Sequence, residues 1–271
     1  MSYPLSRRHQ KTEQIEFPTK LLCIDLLDED KNNMSKITMV LTNPETGVVT
    51  EIPLLPEGTG LNREFLTNYQ GFKRVLKYNA KNVGNVYSSG ANQWFNIQAA
   101  MGGYEPNHKQ TVICFANSTQ TSTSTTREGI IGISDKGVFL GWNGGTNFPH
   151  YRIVYVSGMP GSQVEILPVG KSIYDIWMYG YTYDPLAPNE KIKVTRDEPY
   201  FTAMGTLAGS NNAVPGYQTG KENQNAKFRL GVSQEGSYYR NAGGLFAGFC
   251  IYNDVLTDEQ IELIYKNRRF Y

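Results

Sequence analysis

Gly243-Gly-Leu-Phe-Ala-Gly-Phe-Cys-Ile-Tyr-Asn-Asp-Val-Leu-Thr-Asp-Glu-Gln-Ile261, preceded by the short run Phe228-Arg-Leu-Gly231, is the stretch on which the fold turns. Its first half is an apolar run suited to one strand, and its second half changes to the grammar of a helix start. Thr257 stands three residues before Gln260, the spacing of a capping box in which the hydroxyl accepts from the N3 amide and the N3 side chain returns to the N-cap amide. Leu256 and Ile261 flank the box as a hydrophobic staple. Ile261, Ile264 and Tyr265 share one face, so a short helix is expected to dock on the sheet. Lys266, Arg268 and Arg269 suit its negative pole.

Working outward, short apolar runs separated by Gly, Asn and Pro turns predict strands at Thr111–Ala116, Gly129–Ile133, Val138–Trp142, Tyr151–Val156, Lys191–Val194 and Lys227–Gly231. Strands recurring in this way without intervening helices indicate a sandwich or jelly roll. Further strands are expected at Lys20–Leu27, Lys36–Leu41 and Gly47–Ile52, the last two joined by the turn signal Asn43-Pro-Glu-Thr-Gly47. Pro53, Pro56, Gly58 and Gly60 mark a candidate boundary. Leu61, Phe65, Tyr69, Phe72 and Leu76 recur at helical spacing, although Gly71 opposes a helix there. Residues 1–18 read as a polar arm, and Ser118–Thr126 as a hydroxyl-rich loop.

Composition agrees. Of 271 residues, 39% are hydrophobic and only 19% charged, with 27 Gly and 18 Tyr, which excludes a coiled coil, a helix bundle or a disordered tail. The net charge of +1 gives no global field toward nucleic acid or an anionic membrane. Arg7, Arg8, His9 and Lys11 make only a small basic arm, a solvated tail or docking peptide rather than a duplex reader. Neither a signal-peptide core nor a membrane-spanning run is expected from the text. Cys23, Cys114 and Cys250 each lie within an apolar run, and an odd count without short spacing predicts buried small hydrophobes rather than a disulfide framework or zinc site.

The closing segment resembles that of laminin-G-like, concanavalin A-like jelly rolls: a Gly-bearing strand, an apolar element ending in Tyr252-Asn253, then Leu256-Thr257-x-x-x-Ile261. Val75-Leu-Lys-Tyr-Asn-Ala-Lys-Asn-Val-Gly-Asn-Val-Tyr-Ser-Ser-Gly-Ala-Asn-Gln-Trp94 resembles the opening of such domains in phage virion and tail proteins. The resemblance covers roughly residues 72–271. One departure is that Ala247-Gly-Phe-Cys250 stands where the family carries an acidic pair. The resemblance implies an all-β, concanavalin A-like jelly-roll sandwich over 61–271 with a short C-terminal helix; the strand and turn signals ahead of it, which match nothing in that family, read as a small β-rich N-terminal extension over 1–60.

Several chemistries can be weighed against the residues. Glycanases on this fold pair carboxylates as E-x-D-x-x-E, but Cys23-Ile-Asp25-Leu-Leu-Asp28 lacks the first acid, and Glu13-x-x-Glu16 is a charged arm. Asp28-Glu-Asp30-Lys-Asn32 imitates a calcium loop, yet Asn33 replaces its glycine and Met39 its closing glutamate, so a polar turn is expected. Calcium held by residues from separate loops stays open without a motif, and no other cofactor is implied. Val169-Gly-Lys-Ser172 has Glu165 where a phosphate loop needs glycine. Gly231-Val-Ser-Gln-Glu-Gly236 is one residue too long for a nucleophile elbow, and His9, His108 and His150 have no recognisable partners.

Aromatic residues beside amides are the best binding signal: Trp142, Asn143 and Asn147, then Tyr179, Tyr181 and Tyr183, then Tyr238 and Tyr239. Sugars need flat apolar faces next to hydrogen-bonding groups, though the same side chains serve equally to pack a core or an interface. The resemblance, together with the expected absence of an export signal, implies a non-enzymatic virion protein, a capsid decoration or a tail or fibre component. Its N-terminal extension would contact other virion proteins or copies of itself, and its jelly roll would be displayed for cell-surface glycan or protein. The alternatives are a stand-alone carbohydrate-binding module of a bacterial surface protein and a glycoside hydrolase.

Overall fold

A computed structural model describes residues 15–57, 62–79, 86–90, 93–104, 108–118, 128–133, 139–142, 163–165, 176–187, 192–196, 206–208, 227–231 and 244–271. The strands are β1 (Lys20–Asp25), β2 (Ile37–Thr42), β3 (Val49–Pro56), β4 (Asn62–Tyr69), β5 (Phe72–Asn79), β6 (Tyr87–Ser88), β7 (Gln110–Ser118), β8 (Glu128–Ile133), β9 (Phe139–Trp142), β10 (Gln163–Glu165), β11 (Trp177–Tyr183), β12 (Ile192–Arg196), β13 (Thr206–Ala208), β14 (Phe228–Leu230) and β15 (Gly244–Tyr252). Two helices, α1 (Trp94–Ala100) and α2 (Asp258–Asn267), complete the described elements. The expected strand at Tyr151–Val156 and most of the Ser118–Thr126 loop lie outside the described residues.

The protein is an all-β sandwich. Every described strand pairing is antiparallel, and the path runs β12-β11-β7-β15-β1-β2-β3-β6-β14-β8-β9. Strand β3 is the corner. Its residues 49–54 pair with β2, whereas Leu55 and Pro56 pair with β6 in the facing layer. Pro53 and Pro56 carry no amide to bind a continuous ladder, which suits a strand that changes sheets.

β15 is the spine. β7 follows it along its length, while its other edge is shared end to end by β5, opposite Gly244–Phe246, and β1, opposite Gly248–Tyr252. Both of its faces are covered, so all nine residues are buried and its sequence is a nearly continuous apolar run rather than an alternation. Toward the other layer, Phe246, Phe249 and Ile251 join an inner core with Leu22, Ile24, Tyr87, Phe228 and Leu230. On the opposite face, Leu245, Cys250 and Tyr252 join an outer core closed by α2 and the C-terminus through Ile261, Ile264 and Phe270.

Residues 20–56 are β-rich as expected, but the expected boundary near residue 60 does not separate them from the sandwich. β1 lies between β15 and β2, and Leu22, Ile24, Met39 and Leu41 belong to the inner core. Nor do Leu61 to Leu76 form a helix. Residues 62–79 make a hairpin in which Tyr69 opposes Phe72. Gln70 and Gly71 have φ of +50° and +81°, the positive values that a two-residue type I′ turn requires at both positions. Gly71 supplies the conformation at little cost, and the helical spacing of the aromatics is incidental.

The Asn43 turn is as read. Its Oδ1 accepts from the Glu45 and Thr46 amides, and Gly47 follows at φ +70°. The capping box of α2 is complete, with Gln260 N–H donating to Thr257 Oγ1 at 3.2 Å and Thr257 N–H to Gln260 Oε1 at 2.7 Å. Helix α1 was not expected, although Ile97, Met101 and Tyr104, all buried, carry its spacing.

Candidate functional site

Residues 179, 181 and 183 alternate along β11, between β7 and β12. Alternation puts Tyr181 and Tyr183 on one face, and that face points into the sandwich. Tyr181 is 0% and Tyr183 1% exposed, both in the inner core. These two tyrosines therefore pack the core instead of offering a face to a ligand. The Tyr181 hydroxyl is buried without a hydrogen-bond partner, and burial drives its pKa well above that of an ordinary tyrosine. Burial also raises the Tyr183 pKa, with Asp184 adding to it. Nearby, Tyr104 Oη donates to Gln110 Oε1 at 2.5 Å, and Gln98 Nε2 to the Tyr104 carbonyl at 3.1 Å.

For Tyr179 the strand is described but not the side chain, and the same holds for Trp142, which ends β9 opposite Glu128. Asn143, Asn147, Tyr238 and Tyr239 lie outside the described residues.

The calcium-like run is a turn built on Asn32. Its buried amide donates to the carbonyls of Asp25 and Asp28, both at 2.9 Å, and accepts from the Thr38 amide at 2.9 Å. Asp25 Oδ1 accepts from the Leu27 amide, and Asp28 Oδ1 from the Asp30 and Lys31 amides, each at 3.1 Å. Lys31 pairs with Glu51, and that hydrogen bond raises the lysine's pKa. Among the described residues, no group of three or more His, Cys, Asp or Glu side chains is placed to hold a metal ion.

A charged seam, invisible in the sequence, lies where β3, β4, β6 and β14 meet. Glu57 accepts from the Ser88 hydroxyl and, at 2.8 Å, from Lys227 Nζ. This ion pair is the most enclosed of the described ones, with side chains 17% exposed for Lys227 and 31% for Glu57. Arg63 Nη2 donates to the Glu57 carbonyl at 2.6 Å, and its guanidinium lies 5.1 Å from the centroid of Tyr87. Tyr87 in turn donates to the Met34 carbonyl at 3.2 Å. Its burial raises its pKa, which Arg63 partly opposes. Arg229, opposite Ser88 on β14, is also buried. The Lys227 ammonium on this half-buried carboxylate makes a charge-assisted bond that joins residues 170 positions apart. Chemically, the seam holds a carboxylate, and the one it holds is the chain's own.

With the geometry established, comparison with known proteins places the architecture. No family profile and no curated protein sequence matches the chain. Solved structures do. Trypanosoma rangeli sialidase in complex with 2,3-difluorosialic acid aligns with a TM-score of 0.52 at 12% identity, over 98% of this chain and 36% of that one. The same enzyme with 2,3-difluoro-KDN aligns at 0.51 and 14% identity, over 93% and 33%. The botulinum neurotoxin serotype D/C binding domain aligns at 0.52 and 10% identity, over 93% and 52%. What these proteins share with this chain is the β-rich fold. The chain spans about a third of the sialidase chains and about half of the toxin-domain chain.

Proposed function

We propose that this chain is a non-enzymatic structural and binding protein of a virion, a capsid-decoration or tail or fibre component whose sandwich is displayed for glycan or protein contact. The observation that carries the reading is the burial of β15 on both faces. A sheet covered on both sides is a platform, and it leaves recognition to the loops at its rims. The sequence of 72–271 supports the virion assignment through its resemblance to jelly rolls of phage virion proteins. The neurotoxin neighbour is by its name a binding domain, which supports the use of this architecture for recognition. Asp25 and Asp28, the acids nearest to a glycanase pattern, accept backbone amides in a turn, which favours binding over hydrolysis.

Because residues 20–56 belong to the sheet, the docking role assigned to the N-terminal extension falls to the residues ahead of 15. Light scattering during size-exclusion chromatography, on the full chain and on a chain starting at residue 15, tests this. The expected result is a discrete assembly that becomes a folded monomer after trimming. A monomer in both forms that binds glycans saturably on an array would transfer the reading to a stand-alone carbohydrate-binding module. Release of reducing ends from a glycan would overturn the non-enzymatic assignment.

A further inference from the structure

Cys23 and Cys250 come from opposite ends of the chain and meet at one place in the sheet. They are direct partners in the antiparallel β1–β15 ladder, and both lie in the outer core, on the same face of the sheet. Opposed residues of an antiparallel ladder have Cα atoms roughly 4.5–5.5 Å apart, within the ~4.4–6.8 Å that a disulfide spans. Cys114 is differently placed. It sits on β7 opposite Phe249 and belongs to the inner core, on the other face of the sheet.

We propose that Cys23 and Cys250 form a modification site, oxidised reversibly to an intramolecular disulfide by small-molecule disulfides such as glutathione disulfide. Cys23 is the entry point, being 8% exposed where Cys250 is 0%. Its thiolate attacks one sulfur of the oxidant, forming a mixed disulfide and releasing one glutathione thiolate, which takes up a proton. The Cys250 thiolate then attacks Sγ of Cys23, the second glutathione leaves as a thiol, and the Cys23–Cys250 bond forms. Two protein thiols are oxidised and one glutathione disulfide is reduced to two thiols. Burial holds the Cys250 thiol well above its ordinary pKa, so the second step accelerates as pH rises. The product ties β1 to β15, locking the N-terminal strands into the sheet independently of packing.

The test uses the full, folded chain exposed to glutathione disulfide at increasing pH, then alkylated under denaturing conditions and mapped by mass spectrometry without reduction. The expected result is a Cys23–Cys250 linked peptide pair with the loss of two thiol hydrogens, reversed by dithiothreitol, with Cys114 alkylated in every sample. Cys114→Ser keeps the product, whereas Cys23→Ser and Cys250→Ser abolish it. The unsubstituted chain alone decides the matter if those variants fold poorly. The proposal is overturned if all three thiols remain alkylatable, if the linkage forms only in denaturant, or if Cys23 stops at the glutathione adduct.

Discussion

The ring of Phe270 lies on Gly248. A β-carbon at position 248 would stand 2.6 Å from Phe270 Cε2 and 3.1 Å from the Ile24 carbonyl oxygen. The ladder between β15 and β7 shifts register between Phe246 and Gly248, and the C-terminal ring seats over that irregularity, 5.6 Å from the ring of Phe115. Gly248→Ala is expected to destabilise the fold by about 1–3 kcal/mol through overpacking, and Phe270→Ala by about 3–5 kcal/mol through the cavity it leaves. The double variant should lose less than the sum, because the cavity admits the methyl group. Urea denaturation of the four proteins measures the coupling, and strict additivity would refute the contact.

The capping box reaches beyond its own helix. Gln260 Nε2 donates to the Glu16 carbonyl at 2.6 Å, so the residue that caps α2 also holds the chain leading into β1. Thr257→Ala should cost about 1 kcal/mol, the usual value of an N-cap. Gln260→Ala should cost more and should also speed amide exchange in residues 16–20. Equal exchange in the two variants would separate the cap from the N-terminal segment.

Removing residues 1–14 should leave a cooperative thermal transition, whereas removing 1–60 should abolish it. The longer deletion takes away β1, β2 and β3, exposing the edge of β15 and the inner core beneath Leu22, Ile24 and Met39. Differential scanning calorimetry distinguishes the two, and a folded 61–271 fragment would show that the first strands are dispensable.

Stability should fall as the solution becomes alkaline. Tyr181 and Tyr252 have folded-state pKa values raised, chiefly by burial, above the ordinary tyrosine value near ~10. A group with a raised folded pKa contributes its stability fully below the unfolded pKa and loses it as pH rises toward the folded one. The decline should therefore begin near pH ~10, where the unfolded chain starts to ionise. Tyr181→Phe removes a hydroxyl that has no partner, so it should be neutral or stabilising at pH 7 and should flatten the alkaline decline. A large loss of stability at neutral pH would show that the hydroxyl is satisfied after all.

Local grammar was readable wherever a few neighbouring residues decide a conformation. Thr257 and Gln260 set the start of α2, and Asn43 with Gly47 set the β2–β3 turn, because their hydrogen bonds close within five residues. The apolar runs at 20–25, 111–116 and 244–252 were strands because continuous hydrophobicity demands burial. Short apolar spacing was ambiguous at 61–76, where the positive φ of Gln70 and Gly71 converts helical periodicity into a hairpin. Tertiary structure alone decided three things. It inserted β1 beside β15, which makes the N-terminal strands part of the core. It turned Tyr181 and Tyr183 inward, a choice between faces that alternation cannot make without knowing what covers each one. It also brought Glu57 to Lys227 and Cys23 to Cys250, since pairings between residues 170 or more positions apart depend on which strands the closed sandwich lays side by side.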